Sequence, residues 1–144
     1  MRAFVHRHVV CFEETNVVGN VYFARHVAWQ GACREMFLRA HAPSVLEEIG
    51  RDLRLVTISV SCDYFQELRA FDAVELHMTL AHLRGNRIGL AFDYRVMREE
   101  GALQCAFGRQ ELGCMRSDGQ GRLSVCEPPP ALKLALEAYS DRGS

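Results

Sequence analysis

Hydrophobic and polar residues alternate along the first stretch of the chain, AFVHRHVVCFE at residues 3–13. A period of two places successive side chains on opposite faces of an extended backbone and is typical of a β-strand. The sequence therefore predicts a first strand, one side of which carries Phe4, His6, His8 and Val10.

A different pattern runs from Tyr22 to Ala40, a segment without proline in which Gly31 is the only weak helix breaker. Apolar side chains recur on a wide face made of Phe23, Val27, Trp29, Ala32, Cys33, Met36, Phe37 and Leu38. Such a wide apolar surface predicts a long and deeply buried helix.

The segment SVLEEIG at residues 44–50 predicts a short second helix. Ser44 is expected as its N-cap, in a capping box with Glu47, and Gly50 as its C-terminal cap. Four β-rich runs follow, separated by hairpin signals such as Gly85-Asn86, and they cover residues 53–65, 72–85, 86–99 and 102–117.

This order of elements indicates an α+β fold. A single apolar helix needs a cover, and an antiparallel sheet wrapped around it supplies one; this is the hotdog architecture. We expect one domain over residues 1–144, with a tail at about 128–144 that contains a short helix in ALKLALEAY. Pairing of edge strands between subunits is expected to give a homo-oligomer, either a dimer or a dimer of dimers.

Composition narrows the possible partners. The chain has 144 residues, is 49% hydrophobic and 24% charged, and carries a formal net charge of -1. Without a basic stripe it has no footprint for nucleic acid or for an anionic membrane surface. It also has no signal-peptide pattern and no run of about 18 apolar residues, so a cytoplasmic location is expected.

Six cysteines are scattered without a C-x-x-C pair, which argues against a zinc knuckle or a redox dithiol. His6 and His8 share a strand face, but no third ligand completes a metal site. We therefore predict no metal and no cofactor, and interpret the cysteines as reduced packing residues.

Residues 14–35, ETNVVGNVYFARHVAWQGACRE, carry the most specific signal. This segment resembles the loop and central helix of hotdog proteins of the 4-hydroxybenzoyl-CoA thioesterase type. It resembles more closely the thioesterases that act with iterative polyketide synthases in enediyne biosynthesis. The resemblance implies hydrolysis of a β-keto polyene acyl thioester held on an acyl carrier protein.

The resemblance also implies which residues are catalytic. Asn16 resembles in position an Asp that acts as nucleophile or base in the broader family. This chain is more similar to the enediyne subgroup, which has Asn at this position and an Arg on the helix. That Arg corresponds to Arg34. An amide has no titratable proton at neutral pH, so catalysis would depend on positioning and charge. Glu35 is the remaining catalytic candidate. Because adjacent helix residues point about 100° apart, a direct Arg34–Glu35 pair is awkward, and we favour bonding of Glu35 to another chain or loop.

An oxyanion hole is expected where the loop enters the helix, because helix N-termini present free N–H groups. Its backbone would come from Gly19, Asn20, Val21, Tyr22 and Phe23. Glycine at position 19 is suited to a positive φ angle or to close approach of a ligand.

Two further interpretations concern side chains near this site. His26 stands where the subgroup resembles a Tyr-bearing pattern, and is either a hydrogen-bond donor in the site or a wall residue. Val27, Tyr64 and Phe65 are expected to line the slot for the acyl chain, although each is also a typical core residue.

Structural alternatives remain open for the charged and polar candidates. The less favoured alternatives are that Asn16 is a turn or N-cap residue, and that Arg34 forms a salt bridge with Glu35 or another carboxylate. Glu13 and Glu14 are either a base for the reaction or, as we favour, solvated turn residues.

Spacing raises a geometric problem for the two principal candidates. If the helix begins near Tyr22, Arg34 lies about 18 Å along its axis. Either the loop folds back along the helix, or a second subunit completes the site.

Alternative functions are a general acyl-CoA thioesterase and a non-catalytic acyl-binding protein. For an acidic carrier protein, we expect Arg25, Arg39 or Arg69 to provide docking contacts.

Overall fold

The computed structural model describes residues 2–140. Its helices are α1 (Ala24–His41), α2 (Pro43–Ile49) and α3 (Pro130–Glu137), and a single 3-10 turn spans Phe12–Glu14. Its strands are β1 (Phe4–Val9), β2 (Leu53–Tyr64), β3 (Ala73–Arg84), β4 (Arg87–Arg98), β5 (Gly101–Ser117) and β6 (Leu123–Val125).

One antiparallel sheet has the strand order β1-β3-β4-β5-β2, with β6 paired to the last residues of β5. The two hairpins that join β3, β4 and β5 turn at Gly85 and Gly101, which have φ angles of 57° and 114°. Glycine adopts these angles without the steric penalty of a Cβ atom, which is why glycines mark both turns in the sequence.

The core lies between α1 and the concave face of the sheet. Trp29, Cys33 and Phe37 follow each other at intervals of four on α1, so they share one buried face. On β4 every second side chain from Ile88 to Val96 is buried against that face. The predicted hotdog arrangement, a sheet wrapped around one long helix, is confirmed.

Some predicted boundaries need correction. The N-cap of α2 is Ala42, with Pro43 in the first turn, so the predicted Ser44 capping box is wrong. Proline is suited to a first helical turn because the N–H it lacks has no intrahelical partner there. Strand β1 also ends at Val9, since the chain turns at residues 12–14, and β6 was not predicted.

Strand β2 forms one edge of the sheet and pairs only with β5 within residues 2–140. Its pairing register shifts between Thr57 and Ser59, which marks a β-bulge. Three large apolar side chains of this edge strand, Val56, Ile58 and Val60, are exposed. In the same described region, no helix is both long and apolar enough to cross a membrane.

The side chain of Gln30 on α1 packs against the sheet at Gly108 of β5. The side-chain amide of Gln30 is fully buried there and donates to the Ser61 carbonyl at 3.1 Å. A Cβ atom at position 108 would meet the Gln30 Nε2 at 2.0 Å and the Ser61 oxygen at 2.8 Å. Glycine is therefore required for the helix to lie this close.

We expect Gly108→Ala to lower the free energy of unfolding by about 1–3 kcal/mol, because the added methyl displaces a buried hydrogen-bonded amide. Denaturant unfolding followed by circular dichroism measures the change. Gly31→Ala in α1 is the matched control, since a Cβ there meets no atom within 4 Å and alanine favours a helix. Equal stability of Gly108→Ala and wild type would contradict the packing described.

Candidate active site

The Asn16 loop, defined here as residues 15–21, is a closed turn directly before α1. Thr15 and Val21 form an isolated antiparallel bridge across its base. The Asn16 N–H donates to the Asn20 carbonyl at 2.8 Å, and Gly19 has a φ angle of 89°. The positive φ explains the glycine at this position.

The side chain of Asn16 stabilises its own turn. Its Oδ1 atom accepts the backbone N–H groups of Val18 at 3.0 Å and Asn20 at 3.2 Å. The structural alternative for Asn16 is thus observed, but it uses only the carbonyl half of the amide. The Nδ2 group is left as the part of this exposed side chain that can donate to a ligand.

A cleft of about 490 Å³ lies beside this loop. Most of the predicted site residues between Asn16 and Phe65 meet here. Those in its wall include Asn16, Tyr22, Phe23, His26, Tyr64 and Phe65. Val27 is half-buried and is not among the residues of this wall.

The predicted oxyanion donors are mostly engaged elsewhere. The Val21 N–H donates to the Leu68 carbonyl at 2.8 Å, and the Tyr22 N–H to the Glu14 carbonyl at 2.9 Å. Amides that already have a backbone partner are poor donors to an oxyanion, which removes Val21 and Tyr22 from that role. Of the group, only the Phe23 N–H has no partner in the described part of the chain.

His26 lies at the inner end of the cleft and is 3% exposed. Its ring contacts the rings of Trp29 and Tyr64 at centroid distances of 5.0 and 4.7 Å. Burial lowers the pKa of His26 to about 4, although the nearby Phe23 carbonyl opposes this shift. The imidazole is therefore neutral at pH 7, and neither ring nitrogen has a hydrogen-bond partner among residues 2–140.

Both tyrosines near His26 donate their hydroxyl protons to the backbone of α1. Tyr64 bonds the Phe23 carbonyl at 2.7 Å, and the buried Tyr94 bonds the His26 carbonyl at 2.6 Å. These bonds fix the start of the helix against the sheet. Because both hydroxyls bond backbone carbonyls, neither tyrosine pairs with the His26 imidazole in the cleft wall.

Arg34 lies in another cavity, of about 840 Å³, between α1, α2, β2 and β6. Its Nη1 donates to the Gln110 Oε1 at 3.0 Å and to the Thr57 Oγ1 at 3.4 Å. The salt bridge considered for Arg34 is not formed within residues 2–140. Burial lowers its pKa, and the neighbouring charge of Glu35, an exposed residue in the same wall, opposes the shift.

Asn16 and Arg34 are thus apart within one chain. The cleft and the Arg34 cavity share no wall residue, and Arg34 follows the first residue of α1 by ten positions, or about 15 Å. The Asn16 loop closes on itself at Thr15 and Val21 and does not fold back along the helix. One of the two explanations for the spacing is therefore excluded.

The Arg34 cavity is the larger apolar space and was not predicted from the sequence. Its apolar wall comes from four elements and includes Met36, Leu38, Leu46, Ile49, Leu55 and Leu123. No local pattern joins residues so far apart in the chain, so only the fold reveals this site.

The solvent exposure of Glu14 also differs from our expectation. It is 6% exposed, so the interpretation as a solvated turn residue is wrong for Glu14 but holds for the exposed Glu13. The carboxylate is not in the cleft wall, which does not favour a role as base. Among residues 2–140, no group of three or more potential metal ligands is found.

Comparisons with known proteins show the family and the fold. The sequence model of the thioesterase-like superfamily matches residues 10–136. Among solved structures, the dynemicin thioesterase has a TM-score of 0.93 and 46% identity, with 98% of this chain and 99% of that chain covered. Its structures concern induced-fit and allosteric effects upon polyene binding.

Two more distant structures share the fold. A Pseudomonas aeruginosa PAO1 protein has a TM-score of 0.84 and 18% identity, covering 97% of this chain and 93% of its own. The 1,4-dihydroxy-2-naphthoyl-CoA thioesterase of Synechocystis has a TM-score of 0.76 and 19% identity, covering 93% and 95%.

The buried neutral His26 makes stability depend on pH. The folded state keeps the imidazole unprotonated down to about pH 4, whereas the unfolded chain binds a proton below its ordinary pKa of 6.5. Stability from this group is therefore complete above pH 6.5 and is lost as the pH falls towards 4, by roughly 3 kcal/mol in total. Urea unfolding between pH 7 and pH 4.5 measures the slope.

His26→Phe keeps a ring but removes the titration. We expect its free energy of unfolding to fall less over the same pH range than that of wild type. Parallel curves for the two proteins would contradict the neutral, buried state of His26.

Proposed function

The chain belongs to the thioesterase-like superfamily and is a thioester hydrolase with a hotdog fold, and we propose that it releases a β-keto polyene acyl chain from the carrier protein of an iterative polyketide synthase. The observation that carries this proposal is the 46% identity to the dynemicin thioesterase over 98% of the chain. The Asn16 loop and its cleft supply a chemistry consistent with it.

Hydrolysis needs stabilisation of the negative charge that develops on the thioester oxygen as water attacks the carbonyl carbon. The Asn16 Nδ2 group and the free Phe23 N–H are the donors available for this oxygen. One well-directed donor stabilises such a transition state by roughly 3 kcal/mol. The neutral imidazole of His26 lies in the same wall, but both its ring nitrogens are buried, so it shapes the cleft and is not counted as a donor to this oxygen.

Arg34 provides the positive charge in this proposal. It lies in a partly desolvated position without a carboxylate partner among the described residues, which strengthens its field at a developing anion. A β-ketone makes the adjacent thioester carbonyl more electrophilic, so no carboxylate nucleophile is required at position 16. Glu35, in the Arg34 cavity wall, would orient water or contact a second subunit.

Two subunits would complete each site. The exposed apolar side chains and unpaired backbone of β2 support pairing with a second copy of the chain along this edge. Val56 of this edge also lines the Arg34 cavity, so the seam between subunits would run beside Arg34. Asn16 of one subunit and Arg34 of another would then face the same thioester.

The apolar space and the charges near it support the proposed substrate class. The Arg34 cavity offers an apolar wall for a polyene, whereas Tyr64 and Phe65 line the separate cleft beside the Asn16 loop, which a second subunit would bring to the same substrate. Arg69 is exposed and forms an isolated bridge with Asn20 of the cleft wall, whereas Arg25 donates to the Glu13 carbonyl at 3.0 Å outside that wall. Arg39 lines the Arg34 cavity instead. These arginines favour an acidic carrier protein as partner.

A mixing experiment tests the shared site. Asn16→Asp keeps an acceptor for the turn but removes the Nδ2 donor, and Arg34→Ala removes the charge. Each is expected to lower kcat/KM at least about 30-fold, equivalent to about 2 kcal/mol. In a dimer refolded from equal amounts of the two inactive variants, about a quarter of the sites are intact, so about a quarter of the wild-type activity should return.

Arg51→Ala, which removes an exposed arginine outside both cavities, is the control and should keep wild-type activity. No recovery on mixing, with the oligomer intact by light scattering, would contradict a site built from two subunits. A large gain in Asn16→Asp would instead show that a base was missing.

Substrate preference separates the proposal from its alternatives. We expect kcat/KM for a β-ketoacyl carrier-protein thioester to exceed that for the same acyl group on CoA at least tenfold, because the acidic surface of the carrier protein would make contacts with the arginines beyond those available to CoA. Thiol release measured with dithionitrobenzoate gives both values. Arg69→Ala should lower the first value and leave the second unchanged.

Equal rates with the CoA and carrier thioesters would favour a general acyl-CoA thioesterase. Binding of both thioesters without release of thiol would favour a non-catalytic acyl-binding protein. Either result would reject the carrier-protein assignment.

A further inference from the structure

The buried carboxylate of Glu14 is the centre of a hydrogen-bonded cluster that the proposed chemistry does not use. His8 Nε2 lies 2.7 Å from its Oε1 and 3.0 Å from its Oε2. The Cys11 N–H donates to Oε1 at 2.9 Å, and the Trp29 indole N–H donates to Oε2 at 2.7 Å. We call Glu14, His8, Cys11 and Trp29 the Glu14 network.

The donors of this network come from separate elements. His8 is on β1, Cys11 precedes the 3-10 turn, and Trp29 is on α1. The backbone of Glu14 adds another bond, because its carbonyl accepts the Tyr22 N–H at 2.9 Å. Residue 14 is therefore fixed on several sides, only two positions before Asn16.

We propose that Glu14 is a positioning residue, whose carboxylate holds the Asn16 loop in register with the start of α1 so that the Asn16 amide meets the thioester. This inference rests on the proposed function. Glu14 acts through the loop and does not touch the substrate, since its carboxylate lies outside the cleft wall.

The Glu14 network also contacts the cleft wall, through Trp29 and His26. The Trp29 ring contacts the His8 ring on one side and the His26 ring on the other, at centroid distances of 4.8 and 5.0 Å. The bond from Trp29 to Glu14 therefore fixes the indole plane against which His26 packs. Both the loop and the imidazole depend on the same carboxylate.

Electrostatics explain why a carboxylate occupies this position. Burial acts to raise the pKa of Glu14, but the bonds from Cys11, Trp29 and His8 outweigh it and leave the pKa below its ordinary value. An ionised carboxylate accepts from several donors at once, which a neutral side chain of the same shape cannot do. A buried anion held in this way fixes geometry more than it adds stability.

Glu14→Gln is the direct test, because the amide keeps the shape but turns one acceptor oxygen into a donor that faces existing donors. Trp29→Phe is the second variant, which removes one donor and keeps the ring. Glu13→Gln changes the neighbouring exposed carboxylate. Glu48→Gln removes a carboxylate on α2, outside the loop, that accepts a bond of 2.8 Å from Arg116. Both serve as matched controls.

Two measurements are made on all variants at a temperature where each is folded. Steady-state hydrolysis of an acyl-CoA thioester gives kcat and KM, and amide hydrogen exchange follows residues 15–22. We expect Glu14→Gln to lower kcat at least tenfold with KM changed less than threefold, and to speed loop exchange at least tenfold. Trp29→Phe should show the same pattern more weakly, and both controls should match wild type.

Unchanged kcat in Glu14→Gln and Trp29→Phe, with only a lower melting temperature, would overturn the proposal and leave Glu14 a packing residue. Unchanged loop exchange in both variants would overturn it as well. If wild type hydrolyses no thioester, the proposed function fails, whereas the exchange of residues 15–22 still decides whether Glu14 holds the loop.

Discussion

The burial of α1 in one curved antiparallel sheet is the constraint on which the placement of every candidate group depends. The apolar face that contains Trp29, Cys33 and Phe37 requires a continuous cover, and β3, β4 and β5 provide it. Only this face of the helix is buried, so side chains on the opposite face, such as Glu35 and Met36, remain exposed and the predicted deep burial of the whole helix is wrong. The Asn16 loop lies at the N-terminal end, and Arg34 emerges more than two turns later.

This separation gives the site a distinctive electrostatic character. A carboxylate at position 16 would place a negative charge at a helix start, where the dipole and the free Phe23 N–H stabilise anions. Under the proposed mechanism, the amide at this position would leave that stabilisation for the charge that develops during the reaction. The proposal combines donors at the N-terminal end of α1 with a cation near its middle, Arg34, supplied by a second subunit.

Most of the fold was predictable because local sequence patterns determine where its helices and long strands lie. Alternation, the wide apolar face of α1 and the hairpin glycines at 85 and 101 place the helices and the long strands within a few residues. The Asn16 loop was also marked by Gly19. The predicted start of α2 was wrong, because the helix begins at Pro43 and Ser44 is therefore not its N-cap.

The parts of the site that were missed depend on contacts between distant residues. The burial of Glu14 follows from His8 and Trp29, which come from other elements, and the amides of Val21 and Tyr22 are used by partners that the sequence does not reveal. The Arg34 cavity likewise forms only when residues of four elements meet.

The late pairing of β2 has a consequence for synthesis of the chain. Its sole partner strand among residues 2–140, β5, begins at Gly101, well after β2 ends at Tyr64. At about 5–20 residues per second, a ribosome needs roughly 2–8 seconds to supply that partner. During this interval both backbone edges of β2 lack a partner strand, a state in which exposed strands associate with other chains.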